Sequence, residues 1–142
     1  MSFSLHSRLA ADSTYVGDFP LCQLRLAHAD IGPWLLLIPR QPHLREIHHL
    51  GPTDQHALWQ ESAQVSRCLE TLFTPDKLNI AAIGNIVPQL HLHHVARYQN
   101  DAVWPNPIWG HLDVSHRPES QQATLVAQFQ DALVPEGLVI YP

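Results

Sequence analysis

Only two cysteines occur in the 142 residues, Cys22 and Cys68, and they have neither CxxC spacing nor the partners a disulfide framework needs. That disfavours a disulfide scaffold and a cysteine-based zinc cluster, and fits reduced, buried thiols. Charge is also scarce. Asp, Glu, Lys and Arg make up 15% of the chain, and eight basic against thirteen acidic side chains leave a formal net charge of −5. No stretch is basic enough to track a phosphate backbone, so nucleic-acid polymers are disfavoured as partners, although a mononucleotide site needs only one or two local cations. No run approaches the roughly eighteen apolar residues of a membrane helix. The segment 1–20 lacks the basic start and apolar stretch of a secretory signal, and a cytoplasmic protein without a membrane partner is expected. Internal repeats and low-complexity tracts are absent as well. What is abundant is apolar surface, 45% of residues, and histidine: eleven, more than Lys and Arg together. The length suits one compact domain spanning 1–142.

Residues 1–20 show no sustained period beyond a short helical turn near 7–12, and read as an edge segment. From Leu21 to Leu26, Cys22, Leu24 and Leu26 alternate with Gln23 and Arg25, as a half-buried strand requires. Trp34 to Ile38 is unbroken apolar sequence closed by Pro39, the mark of a central strand ended by a residue that cannot donate to the ladder. Leu58, Ser62, Val65, Leu69 and Leu72 recur at three- and four-residue steps and predict a helix over 52–73, with Thr53 placed to cap it. Leu78, Ile80 and Ala82 begin another alternating strand, Gly84 and Asn85 turn the chain, and a strand follows through 89–94. The segment 98–110 is too proline-rich for a helix or an inner strand and reads as an extended arm. A last helix is predicted over 117–132 and a short terminal strand over 138–141. This order favours an α+β domain with a mostly antiparallel sheet.

The stretch QLHLHH carries the chemistry. On a strand Gln89, His91 and His93 share one face, with Cα atoms about 6.5 to 7 Å apart, while Leu90 and Leu92 anchor the other. Imidazole is a nucleophile while neutral, and a substantial fraction is neutral near pH 7. Taken alone, an HxH pair also fits solvent-facing side chains, a polar core niche, or a metal site completed by His111 or His116. His94 points to the opposite face and suits packing. His43, His48 and His49 sit in a polar connection and are expected at the surface.

The residues 89–97, QLHLHHVAR, resemble the motif of the histidine-triad (HIT) superfamily, in which histidines alternate with apolar residues. Trp34 to Arg40 (WLLLIPR), the helix from Pro52, and LNIAAIGN before the motif resemble the superfamily's other elements in their order, so the likeness covers about 15–115, with a C-terminal helix and tail over 117–142. The resemblance implies an α+β HIT-like domain, a mostly antiparallel sheet of about five strands with two main helices. It also implies a homodimer that binds a nucleotide or nucleotide-derived small molecule and needs no cofactor or metal.

By that resemblance His91 attacks the α-phosphorus and becomes transiently nucleotidylated, His93 contacts phosphate oxygens, and Asn85 contacts phosphates or leaving group. Asp30, with His28, falls where the superfamily binds ribose hydroxyls. Arg40 is a candidate for phosphate, as is Arg97, and Trp104 or Trp109 for a wall over the base. Dinucleoside polyphosphates, or nucleoside phosphoramidates and esters, are the implied substrates of a hydrolase or nucleotidyl transferase. Two departures stand out. Gln89 replaces the first histidine, leaving a backbone carbonyl but no titratable ring, and the turn before the motif is shorter and less glycine-rich than in typical relatives. Hence the alternatives, a catalytically weak nucleotide-binding module or a histidine-based metal protein, stay open.

Overall fold

In a computed structural model of the chain, residues 2–111 and 115–142 are described; positions 112–114 of the expected 15–115 segment lie outside them. Three helices, α1 (Ser7–Asp12), α2 (Pro52–Phe73) and α3 (Glu119–Leu133), accompany five strands, β1 (Ser13–Asp18), β2 (Cys22–Ala27), β3 (Trp34–Pro39), β4 (Lys77–Ala82) and β5 (Leu92–Arg97). All pairings are antiparallel, in the order β1-β2-β3-β5-β4. The α+β architecture expected from the sequence is the one observed.

Every residue of β3 and of β5 is buried, as the apolar run of 34–38 demands of an inner strand. Alternation then divides the interior in two. Leu35, Leu37, Leu92 and Ala96 face one side, where Leu58, Val65 and Leu69 of α2 and Phe129 and Leu133 of α3 cover them. Trp34, Leu36, Ile38 and Val95 face the other, against Leu9 of α1, Val87 and Ile108. The long helices lie on one face, leaving the other to short segments.

Several local expectations need correction. Pro52 occupies the first turn of α2 and Gly51 caps it without a side-chain bond, so Thr53 is not the cap. Leu72 is exposed, and its place in the buried stripe goes to Glu61, whose carboxylate accepts the Leu21 and Cys22 N–H groups at 2.9 Å each. Residues 1–20 hold a full edge strand, β1, whose period is broken by a bulge between Tyr15 and Gly17. The C-terminal tail forms no strand; Val139 makes one isolated bridge to Asp18. Arg97 is not a surface cation either. It is 1% exposed, bonded to the Asp101 carboxylate at 2.7 Å and to Asn79 at 2.9 Å. Cys22 and Cys68 are free and buried, as expected.

Candidate functional site

Leu36 of β3 pairs with His93 and Leu37 with Leu92, so His93 belongs to the face covered by short segments and His94 to the face covered by α2. Upstream, Leu90 N–H donates to the Leu44 carbonyl at 2.9 Å, which anchors the segment before β5; the strand expected from 89 begins only at Leu92, with Gln89 in a bend. His91 and His93 therefore stand on one face, rings 4.8 Å apart and inclined by 71°.

The His91 Nδ1 lies 2.7 Å from the main-chain oxygen of Gln89. A carbonyl can only accept, so Nδ1 carries the hydrogen and a neutral ring keeps its lone pair on Nε2. Burial pushes the His91 pKa below the ordinary imidazole value; the Gln89 carbonyl opposes that shift and nearby His6 adds to it. His93 is buried between two indoles, with Trp34 Nε1 3.0 Å from its Nδ1 and the Trp109 ring 5.2 Å away. Burial, aided by His91 and His94, pushes its pKa down to about 3. Both rings are neutral at pH 7. His94 is fully buried, its Nε2 2.7 Å from Ser62 Oγ and its Nδ1 3.1 Å from the Leu92 oxygen, which is the packing role expected of it.

Two compartments flank the imidazole pair and share Ile83, Asn85, His91, Trp109 and Gly110. One, of about 540 Å³, is walled by Leu9, Ala27, Trp34, Leu36 and Val87, with Arg8, Asp12 and His116 at its polar points. The other, of about 580 Å³, is lined by Arg45, Glu46, Gly84 and Asn85. An apolar slot and a polar slot thus meet at His91. That shape suits a ligand with a flat apolar end and a polar or charged end joined at the atom facing His91.

The structure brings His91, His93 and Asn85 together. Gln89 borders the polar compartment, but its carboxamide is spent elsewhere: Oε1 accepts the His6 N–H at 2.8 Å and Nε2 donates to the Ser4 carbonyl at 2.9 Å. Its contribution to the imidazole pair is its backbone oxygen. His28 bonds Thr14 Oγ1 at 2.9 Å and lies beside the ring of His116, while the Asp30 carboxylate is 3.8 Å from Arg117 Nε. Neither side chain lines a compartment, although Ala29 between them does. Arg40, expected to meet phosphate, instead donates to the carbonyls of Phe19 and Pro20 at the far end of β3. Trp104 covers the Arg97 guanidinium at 5.7 Å, so the aromatic wall over the site is Trp109.

Sequence reasoning missed Trp34 and Arg45. Trp34 was legible in principle, since it shares a strand face with Leu36, the partner of His93. Arg45 was not, because it reaches the site through the pairing of Leu44 with Leu90, which no local pattern announces. Among the described residues, no group of three or more His, Cys, Asp or Glu side chains is arranged to hold a metal ion.

The model of the HIT domain family matches residues 8–100. A histidine triad protein from Marinobacter aquaeolei VT8 is 44% identical, with a TM-score of 0.91 over 95% of this chain and 98% of that one. Another, from Bradyrhizobium japonicum, is 40% identical, with a TM-score of 0.90 over 93% and 98%. A third, from Sinorhizobium meliloti 1021, is 38% identical, with a TM-score of 0.89 over 92% and 97%. No curated protein matches the sequence. With the family's sheet, its motif strand and relatives of this similarity along nearly the whole length, the chain belongs to the HIT domain family.

Proposed function

We propose that the protein is a nucleotide-binding hydrolase or nucleotidyl transferase that works through a covalent nucleotidyl intermediate on His91. Family membership supports the class, and one observation carries the finer reading: the Gln89 oxygen 2.7 Å from His91 Nδ1 leaves Nε2 as the free nitrogen, at the junction of the two compartments. The nucleoside lies in the apolar compartment and the leaving group in the polar one. Dinucleoside polyphosphates and nucleoside phosphoramidates or esters have that two-ended form.

The Nε2 lone pair of His91 attacks the α-phosphorus, the bond to the leaving group breaks with its electron pair, and the leaving group takes a proton from water. The positive charge that grows on the ring is held by the Nδ1–H bond to Gln89. His93 and the Asn85 amide donate to phosphate oxygens as negative charge builds there. Water, or another acceptor hydroxyl, then attacks the same phosphorus, loses its proton to solvent and returns His91 with its lone pair. Splitting one substitution into two is the usual gain from a covalent nucleophile.

Hydrolysis of a nucleotide panel by the wild-type chain and by His91→Ala tests this reading. Turnover that disappears in the variant supports it. Binding of nucleoside monophosphate without turnover of any panel member favours a binding module, which the loss of the first motif histidine to Gln89 also suits.

A further inference from the structure

We propose that Trp34 is a positioning residue that fixes the tautomer of His93, so that His93 meets the substrate phosphate as a neutral Nε2–H donor. The assignment of a phosphate to this ring rests on the function proposed above; the tautomer itself does not.

The chemistry of the contact decides which nitrogen bears the hydrogen. An indole nitrogen donates and never accepts, so the atom 3.0 Å from Trp34 Nε1, the His93 Nδ1, must present a lone pair. In a neutral ring the hydrogen is then on Nε2. Protonating Nδ1 would set two N–H groups against each other in a buried contact, since Trp34 is 8% and His93 7% exposed. Flipping the ring would put a C–H against the indole donor and leave it unpaired. Trp34 cannot readily turn away. Its backbone pairs with Val95 in the centre of the sheet, and its ring meets that of Trp109 edge-on, centroids 6.3 Å apart and planes at 89°.

The consequence is a division of labour between two identical side chains. Gln89 holds His91 as Nδ1–H with a free Nε2 lone pair, and Trp34 holds His93 in the opposite tautomer, with its lone pair spent and Nε2–H free. One imidazole is set to attack and its neighbour to donate, with no proton exchanged between them beforehand. Burial, aided by His91 and His94, keeps His93 uncharged below neutral pH, and the Trp34 contact opposes a proton at Nδ1. Among the described residues, the other titratable or charged groups around its compartment are His91 on the motif segment, Arg8 and Asp12 on α1, and His116 beyond the 98–111 segment, while His94 acts from the opposite face.

Long-range 1H–15N correlation spectra of histidine-labelled protein test the assignment. The wild type is expected to show His93 with an acceptor-type Nδ1 and a protonated Nε2; a protonated Nδ1 overturns the proposal. A second arm replaces Trp34 by phenylalanine, or by the benzothienyl amino acid that keeps the indole shape and has sulfur in place of N–H. Loss of the donor is expected to give His93 a mixed tautomer population and to let it protonate at higher pH. It is also expected to lower kcat about tenfold, less than the hundredfold or more typical of deleting an oxyanion donor outright, with a steeper decline of kcat toward acid. If the variants lose stability but keep the His93 tautomer and the acid side of the pH profile, Trp34 is structural only and the proposal fails. A wild type that turns over no nucleotide contradicts the functional reading, while the spectrum still decides the tautomer.

Discussion

The imidazole of His91 is held by the main-chain oxygen of Gln89, 2.7 Å from its Nδ1, whereas the Gln89 side chain turns away to pair with the backbone of Ser4 and His6. The glutamine in place of the first motif histidine therefore serves the N-terminal segment. Gln89→Ala is expected to leave the tautomer of His91 unchanged and to reduce kcat less than about tenfold, because the carbonyl remains. It should also speed amide exchange at His6, whose N–H loses its acceptor. A loss of activity as large as that of His91→Ala would assign the carboxamide itself to the chemistry.

Arg40 and Arg45 separate the expected phosphate cation from the one the fold provides. Arg40 is tied to the carbonyls of Phe19 and Pro20, while Arg45 lines the polar compartment beside His91. Arg45→Ala should raise KM for an anionic leaving group by about 5- to 50-fold, the effect of one lost charged contact. Arg40→Ala should leave KM within about twofold. Steady-state kinetics on both variants checks this, and the reverse order of effects would contradict it.

Arg97 and Asp101 form a buried pair, 1% and 6% exposed, and Asp101 also accepts the N–H groups of Val103 and Trp104. The Arg97 bond is the main reason its carboxyl pKa falls to about 2. Removing one partner strands the other charge, so Asp101→Ala is expected to cost about 3 kcal/mol or more in urea denaturation. A change under about 1 kcal/mol, the usual worth of a surface pair, would show that the guanidinium reaches water.

Burial holds His93 at a pKa of about 3 and His94 at about 4, against about 6.5 in an unfolded chain. Between these values the unfolded state binds more protons than the folded one. Stability is therefore full above about pH 6.5 and falls as the pH drops toward 4, by up to about 1.4 kcal/mol per pH unit for each ring. Urea midpoints from pH 7 to 4 measure the slope, and His94→Asn should reduce it. A flat profile would mean that both rings protonate without unfolding.

Much of the fold was legible because the long elements carry strong periods. The stripe through Leu58, Val65 and Leu69 defined α2, and the run at 34–38 marked the central strand. The motif strand placed His91 and His93 on one face by alternation alone. What escaped depends on contacts distant in sequence. β1 is bulged at the sheet edge, the burial of Arg97 depends on Asn79 of β4 besides its near neighbour Asp101, and Arg40 meets the carbonyls of Phe19 and Pro20 in the β1–β2 turn, beside its own end of β3 and away from the site. The segment 98–110 is a succession of turns rather than the expected extended arm, and of its two tryptophans only packing shows that Trp109 reaches the site and Trp104 does not.

The most direct test of His91 as nucleophile is to trap the adduct. Protein incubated with a radiolabelled adenylate derivative is quenched in alkali, and the chain is examined for label. The account predicts an acid-labile, alkali-stable phosphoramidate on wild type that maps to His91 and is absent from His91→Ala. Nucleotide turnover by a wild type that never carries label, or label that persists in His91→Ala, would contradict it.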